Sequence, residues 1–256
     1  MSDMGPLLAY WRAQDALFER VEPAWWGAVV SDTRYPAIQE PNYARVESRE
    51  PVPLAEVGSA LLPAIDRSGS TRSHVVIFHP EEQADLIAAA STRGERITWD
   101  LVMARGAGQV GDESGAVEEV HDFDAAFWRA HAASVRLFDV NEQPAVDQLQ
   151  ALERDVLIPA GRRWLTVREN GEPVALAAFL VLEGAGFLDH VVTFPVARRR
   201  GYAEALARRA VAEVLAAGVR HTFLLAEPGG SAERIYSRLG FERAGYLAAW
   251  LSPIAR

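Results

Sequence analysis

The stretch Val191–Leu215, VVTFPVARRRGYAEALARRAVAEVL, constrains the fold more than any other part of the chain. A short apolar, β-branched run passes through Pro195 and three arginines and then enters a strongly helical segment at Gly201. A strand feeding a helix through such a turn leaves several backbone N–H groups pointing forward with no partner inside the helix. Those donors, with about half a unit of positive charge from the helix dipole, make an anion site. Gly201 lets the backbone approach a ligand without a Cβ in the way, and Ala203 keeps the next turn nearly as bare. Pro195 has no donor, which suits the point where a strand stops pairing. Three cations at the positive end of a helix oppose its dipole, so they are favourable there only with an anion present. The alternative is a surface arginine cluster that caps its own helix poorly.

Arg198-Arg199-Arg200-Gly201-Tyr202-Ala203 is an R-x-x-G-x-A hexad, and Tyr236-Ser237-Arg238-Leu239-Gly240-Phe241 follows it as Y-x-x-x-G-F, with one helix and the strand 222–226 between them. This pair, in this order, resembles the GNAT superfamily of N-acetyltransferases over about residues 115–254. The resemblance implies an α/β chain with the GNAT-type mixed central sheet flanked by helices. It also implies that acetyl-CoA is the co-substrate, its pyrophosphate held by the backbone of Arg198, Arg199, Arg200, Gly201, Tyr202 and Ala203. Its pantetheine would lie along the strand end Val191, Val192 and Thr193. No metal is implied. One departure stands out: the family's frequent asparagine before the last helix falls near Gly229, so a contact made by that side chain is missing.

The chain has 256 residues, of which 49% are hydrophobic, enough for an ordinary core. A net charge of −9 argues against nucleic acid as the main partner, because phosphate binding needs a basic face. An acidic surface steers cationic ligands such as amines, and it equally serves solubility. There is no cysteine, which removes disulfides, thiolate nucleophiles and cysteine-ligated zinc. No apolar run approaches the roughly 20 residues of a membrane span. The first residues, MSDMGPLLAYWRAQDALF, lack the layout of a signal peptide, which makes the cytoplasm the expected compartment.

Along the chain, the pattern predicts a helix over 5–20, then an ordered but irregular segment over 23–43 with three prolines and two adjacent tryptophans. Strand 43–47, helix 54–65, strand 74–78, helix 81–90 and strand 96–104 follow. This half parallels the later one without an R-x-x-G-x-A turn, so it is expected to be a smaller, degenerate GNAT-like lobe without its own cofactor site. The glycine-rich segment 106–117 marks the boundary, giving a lobe at 1–112 and an acetyl-CoA-binding GNAT domain at 113–256. In the second part, strand 117–121, helices 123–137 and 144–157, and a hairpin of 164–168 with 174–182 around Asn170-Gly171 lead to strand 187–194. Helix 202–217, strand 221–226, helix 231–239 and strand 241–251 complete it.

Acetyl transfer to an amine needs two proton movements. An amine of pKa near 10.4 is only about one part in 2,500 neutral at pH 7, a cost of roughly 4.6 kcal/mol that a base partly recovers. The departing thiolate needs a proton donor, and Tyr236, at the motif position, is the candidate acid; the alternative is a core aromatic. Candidates for the base are Asp189, His190, Glu183 and Glu227. Strand alternation puts Asp189 and His190 on opposite faces unless a bulge intervenes. The expected activity is N-acetyltransfer from acetyl-CoA to a primary amine of a small molecule or peptide by direct attack, in a monomer or homodimer. A catalytically weak CoA-binding regulatory module and a general phosphate-binding α/β protein are the other readings.

Overall fold

The computed structural model describes residues 4–108, 111 and 115–253, and the chain passes between two units at Tyr10/Trp11, Leu101/Val102 and Ala244/Gly245. The N-terminal unit is Trp11–Leu101 with Gly245–Arg256, and the C-terminal unit is Met1–Tyr10 with Val102–Ala244. Expectation placed a single junction at 112/113, which lies outside the described residues; the units are divided at three other points, because two strands and the first helix each give residues to both.

The N-terminal unit takes the end of α1 (Gly5–Asp15), then β1 (Arg20–Ala24), β2 (Gly27–Ser31), β3 (Tyr43–Val46), α2 (Leu54–Ser68), β4 (Arg72–Ile77), α3 (Ala84–Thr92) and the first part of β5 (Ile97–Arg105). The segment expected to be irregular holds the antiparallel hairpin of β1 and β2, paired Arg20↔Ser31 through Ala24↔Gly27. The three prolines masked it. Pro23 is tolerated because β1 is an edge strand and a proline costs no ladder bond on the free side. The helix expected from Glu81 begins at Ala84, and α1 stops at Asp15 rather than near 20. Trp26, Val29, Val46, Leu61, Ile65, Ile77 and Trp250 share one buried core.

The C-terminal unit continues with β6 (Glu118–Glu119), α4 (Ala125–Arg136), α5 (Gln143–Leu152), a π-helical turn (Glu153–Leu157), β7 (Arg163–Glu169), β8 (Glu172–Leu182), β9 (Ala185–Thr193), a 3-10 turn (Pro195–Ala197), α6 (Tyr202–Ala216), β10 (His221–Ala226) and α7 (Ser231–Arg238). It ends in β11 (Glu242–Pro253), whose larger part belongs to the N-terminal unit. Strand order is β5-β10-β9-β8-β7-β6 in the C-terminal unit and β1-β2-β3-β4-β11-β5 in the N-terminal one. Antiparallel and parallel pairs mix in both, so this is the mixed α/β sheet that the sequence implies.

Local chemistry explains the elements around the site. Asn170 and Gly171, both at positive φ, make the two-residue turn between β7 and β8. Asp124 caps α4 by accepting from the Phe127 N–H at 2.7 Å. Leu206, Ala207, Ala210, Val211 and Val214 form the buried face of α6, which packs on β8 and β9. At Gly186 the fit is so close that a Cβ would lie 2.6 Å from Val214 Cγ1. The helix expected to run through 157 changes to the π-helical turn at Glu153, a form that often marks a functional position.

Candidate active site

Parallel pairing of β9 with β10 covers only Ala185–Phe187 against His221–Phe223, although β9 continues to Thr193 and β10 to Ala226. The two strands therefore part in the middle of the sheet, and the edge of β9 beyond Phe187 is open toward β10. Val191, Val192 and Thr193, the expected pantetheine strand, lie on that stretch. Val192 is buried and sits opposite Leu176, while the buried Thr193 Oγ1 has no hydrogen-bond partner among the described residues.

The open edge leads to the arginine turn. Arg199 and Gly201 adopt left-handed backbone, with φ of 65° and 82°. This conformation is cheap for glycine and costs an arginine energy, so the turn is over-determined by its surroundings. No side chain among the described residues caps α6, whose first intrahelical bond is Ala205 N–H to the Gly201 carbonyl at 3.0 Å. As a result the backbone N–H groups of Arg199 through Glu204 have no acceptor among the described residues. A helix start normally leaves about four such groups. This row includes Arg199, Arg200, Gly201, Tyr202 and Ala203 of the expected cradle.

The three arginine side chains do not act alike. Arg198 Nε donates to the Thr193 carbonyl at 3.3 Å, fastening the turn to the strand end. Arg200 is paired with Glu169 at 2.6 Å, and the Tyr202 hydroxyl donates to the same carboxylate. Arg199 is exposed and has no partner among the described residues, so its whole guanidinium is free for an anion, and Arg198, bonded only to a carbonyl, keeps an unneutralised charge beside it.

The second half of the site is built on the Trp164 face of the sheet. Between Leu176↔Val192 and Ala178↔Asp189 the register shifts, so His190 and Val191 together oppose Ala177. His190 has φ of 53° at this bulge. The bulge overturns the simple alternation: Asp189 and His190 both lie on the face that carries Trp164. The Asp189 carboxylate pairs with Arg162 at 2.9 Å, and Arg162 lies over the Trp164 ring at 5.4 Å. The His190 ring meets Trp164 at 5.0 Å and stacks on His131 at 5.4 Å.

Arg162 is the hub. It is buried and bridges Glu153 on the π-helical turn at 3.2 Å and Asp189 on β9. Burial pushes the Glu153 carboxyl up, opposed by Arg162, and Glu153 also accepts from Trp164 Nε1 at 2.9 Å. Desolvation pushes Asp189 up, but the Arg162 charge, His190 and the hydrogen bonds from Arg162 and the His190 N–H together hold it below the usual carboxylate range. Burial takes His190 down to about 4, with Asp189 opposing and Arg162 reinforcing the shift. His131 is lowered to about 2 by burial, with His190 and Arg162 adding to it. Both imidazoles are neutral at pH 7.

Tyr236 on α7 is buried, its ring edge-on to Phe241 at 5.9 Å. Burial, and secondarily the Asp189 charge, pushes its hydroxyl up to about 12. That hydroxyl forms no hydrogen bond with the described residues. Of the remaining carboxylate candidates, Glu183 is exposed in the turn between β8 and β9 with φ of 48°, and Glu227 is exposed at the end of β10, where its carbonyl accepts from the Gly230 N–H at 3.1 Å. At the missing-asparagine position, the Gly229 N–H donates instead to Glu233 at 2.7 Å, and Glu233 is paired with Arg243. Tyr236 thus feels the Asp189 charge, while no contact among the described residues ties Glu227 to either.

Sequence reasoning missed Arg162, Glu153, His131 and Trp164. One signal was present: His131 and Ser134 sit three residues apart on the inward face of α4. Polar residues there demand a buried partner.

Residues 120–241 match the acetyltransferase (GNAT) family, and this part of the chain is a GNAT acetyltransferase domain. Among solved structures, a GCN5-related N-acetyltransferase from Kribbella flavida is similar over 100% of this chain and 97% of that one, at 19% identity and a TM-score of 0.62. A functionally unknown conserved protein from Staphylococcus epidermidis is similar over 89% of this chain and 91% of that one, at 11% identity and a TM-score of 0.64. A GNAT-family acetyltransferase from Novosphingobium aromaticivorans matches over 62% of this chain and 66% of that one, at 23% identity and a TM-score of 0.48. The first two show that the fold is shared along nearly the whole chain. No curated protein matches significantly.

Proposed function

We propose that this chain is an acetyl-CoA-dependent N-acetyltransferase acting on a primary amine of a small molecule or peptide by direct attack. The observation that carries this reading is the row of unsatisfied N–H groups from Arg199 through Glu204 at the head of the open β9 edge. A diphosphate fits there, because aligned backbone donors at a helix start favour anions and the left-handed Gly201 leaves the approach open. Acetyl-CoA would supply the activated acetyl group; the chain's own residues hold and aim it. Arg198 through Ala203 take the diphosphate, with Arg199 adding charge, and the backbone of Val191–Thr193 meets the pantetheine amides. Tyr236, neutral throughout the working pH range, gives a proton to the departing sulfur. With no cysteine in the chain, an acyl-thiol intermediate on the protein is excluded and direct attack is the simpler course. The N-terminal unit, which has no such turn, is read as the degenerate GNAT-like lobe of a tandem arrangement.

The test is release of CoA thiol by the purified protein from acetyl-CoA against a panel of primary amines, with the acetylated amine identified by mass spectrometry. Thiol release that depends on an amine supports the reading. Tight acetyl-CoA binding with no amine consumed overturns it in favour of a CoA-binding regulatory module. Nucleotides raising the melting temperature where acetyl-CoA does not would overturn both.

A further inference from the structure

The geometry points to His190, not a carboxylate, as the proton acceptor for the attacking amine, with Ser134 as the residue that fixes which ring nitrogen is free. This rests on the acetyltransferase reading above. The Ser134 hydroxyl lies 2.7 Å from the His131 carbonyl and 2.6 Å from His190 Nε2. A carbonyl only accepts, so the single Ser134 proton goes to His131, and its oxygen must then accept from a protonated Nε2. That assigns the Nε2–H tautomer to His190 and leaves the Nδ1 lone pair available. Nδ1 makes no hydrogen bond with the described residues. Ser134 is fully buried and His131 nearly so, so water does not compete for this chain of bonds.

The alternatives are weaker for stated reasons. Asp189 already accepts at one oxygen from Arg162 and at the other from the His190 backbone N–H at 2.7 Å, and its carboxyl is held below the usual range, which makes it the weaker proton acceptor. Glu183 and Glu227 are exposed, and among the described residues neither is joined to any of these groups. The bulge sets the position: His190 has left-handed backbone on the stretch of β9 no longer paired with β10, and its ring lies against His131 and Trp164. The charged and titratable groups facing it are His131 from α4, Arg162 beside β7, Asp189 on its own strand and, through Asp189, Tyr236 from α7. Burial keeps the ring unprotonated at neutral pH and also weakens it as a base, so Nδ1 acts as the acceptor that relays the amine's proton on to water and does not hold it.

The protons balance as follows. The ammonium gives one proton to His190 Nδ1, which passes it to water, and the amine lone pair then forms the C–N bond to the acetyl carbon. As the C–S bond breaks, Tyr236 protonates the sulfur, and the second nitrogen proton returns to Tyr236 through water. The products are the amide, CoA thiol and one proton in solution.

His190→Gln keeps a donor for Ser134 but has no basic nitrogen, and His190→Asn tolerates the left-handed backbone better. With an accepted amine, either variant should lower kcat about 100-fold or more at pH 7, with acetyl-CoA affinity unchanged. The deficit should close as pH approaches the amine's own pKa, about 10.4 for a lysine-like amine, where solution supplies the neutral nucleophile. Rates and pH profiles equal to wild type overturn the assignment while leaving the acetyltransferase reading intact. A readout independent of any acceptor is the 15N resonances of the His190 ring at pH 7. Protonated Nε2 and bare Nδ1 are expected, with that preference lost in Ser134→Ala; an Nδ1–H tautomer or an imidazolium overturns the proposal even where no amine is turned over.

Discussion

Glu169, at the end of β7, accepts a 2.7 Å hydrogen bond from the Tyr202 hydroxyl in the first turn of α6. It holds Arg200 as well, so one carboxylate fixes both flanks of the left-handed Gly201. The Tyr202 bond first, and Arg200 next, hold the Glu169 carboxyl below its ordinary 4.5. A depressed folded value means the contribution is complete above pH 4.5 and fades as pH falls through the lowered one. In Glu169→Gln, protection of the Ala205 amide against hydrogen exchange should fall several-fold at pH 7, and wild type should approach the variant in acid. Equal protection at pH 7 would show that the turn holds itself.

Gly201 separates strain from obstruction. No atom lies within 4 Å of a Cβ built there, so alanine meets only the left-handed backbone penalty, about 1–2 kcal/mol. Gly201→Ala and Gly201→Glu should therefore lose similar stability in urea titrations. Calorimetry should show acetyl-CoA affinity reduced modestly in the first and abolished in the second, where bulk and negative charge enter the diphosphate site. Retained affinity in Gly201→Glu would remove the cradle.

Tyr236→Phe should lower kcat by about 100-fold or more while leaving the KM for acetyl-CoA within a few-fold, the pattern of a group acting on the reacting atoms. The ring's packing on Phe241 survives the change, so the melting temperature should hold. An unchanged kcat would leave Tyr236 as a core aromatic.

Gly186→Ala should destabilise by about 1–3 kcal/mol, because the new methyl would press into Val214 across the β9–α6 contact. Val214→Ala in the same chain should restore much of the loss in denaturant titrations. A destabilisation that persists in the double variant would place the strain in β9 itself.

How much of this could be read beforehand follows from the range of the interactions. The strand–turn–helix at 191–215 and the Asn170-Gly171 hairpin depend on neighbours in the chain, and both stand where expected. The bulge at His190 does not: it exists only as a mismatch of register between β8 and β9, and no pattern within β9 announces it. Arg162 stands beside Arg163 and reads like any surface pair, yet only Arg162 is buried, because Glu153 arrives from the preceding π-helical turn to neutralise it. Proline-based reasoning failed at 20–31, where an edge strand had room for Pro23.

Neither unit is an uninterrupted length of polypeptide, and this limits how the gene can be cut. A fragment beginning at 113 would carry the arginine turn, Tyr236 and His190. It would lack Val102–Arg105, and with Arg105 the guanidinium that donates to the Leu239 carbonyl behind α7. It would also lose Tyr10, whose ring stacks on Phe187 at the last paired position before β9 and β10 diverge. Any minimal version of this acetyltransferase domain has to be assembled from separated stretches of sequence, not trimmed from one end.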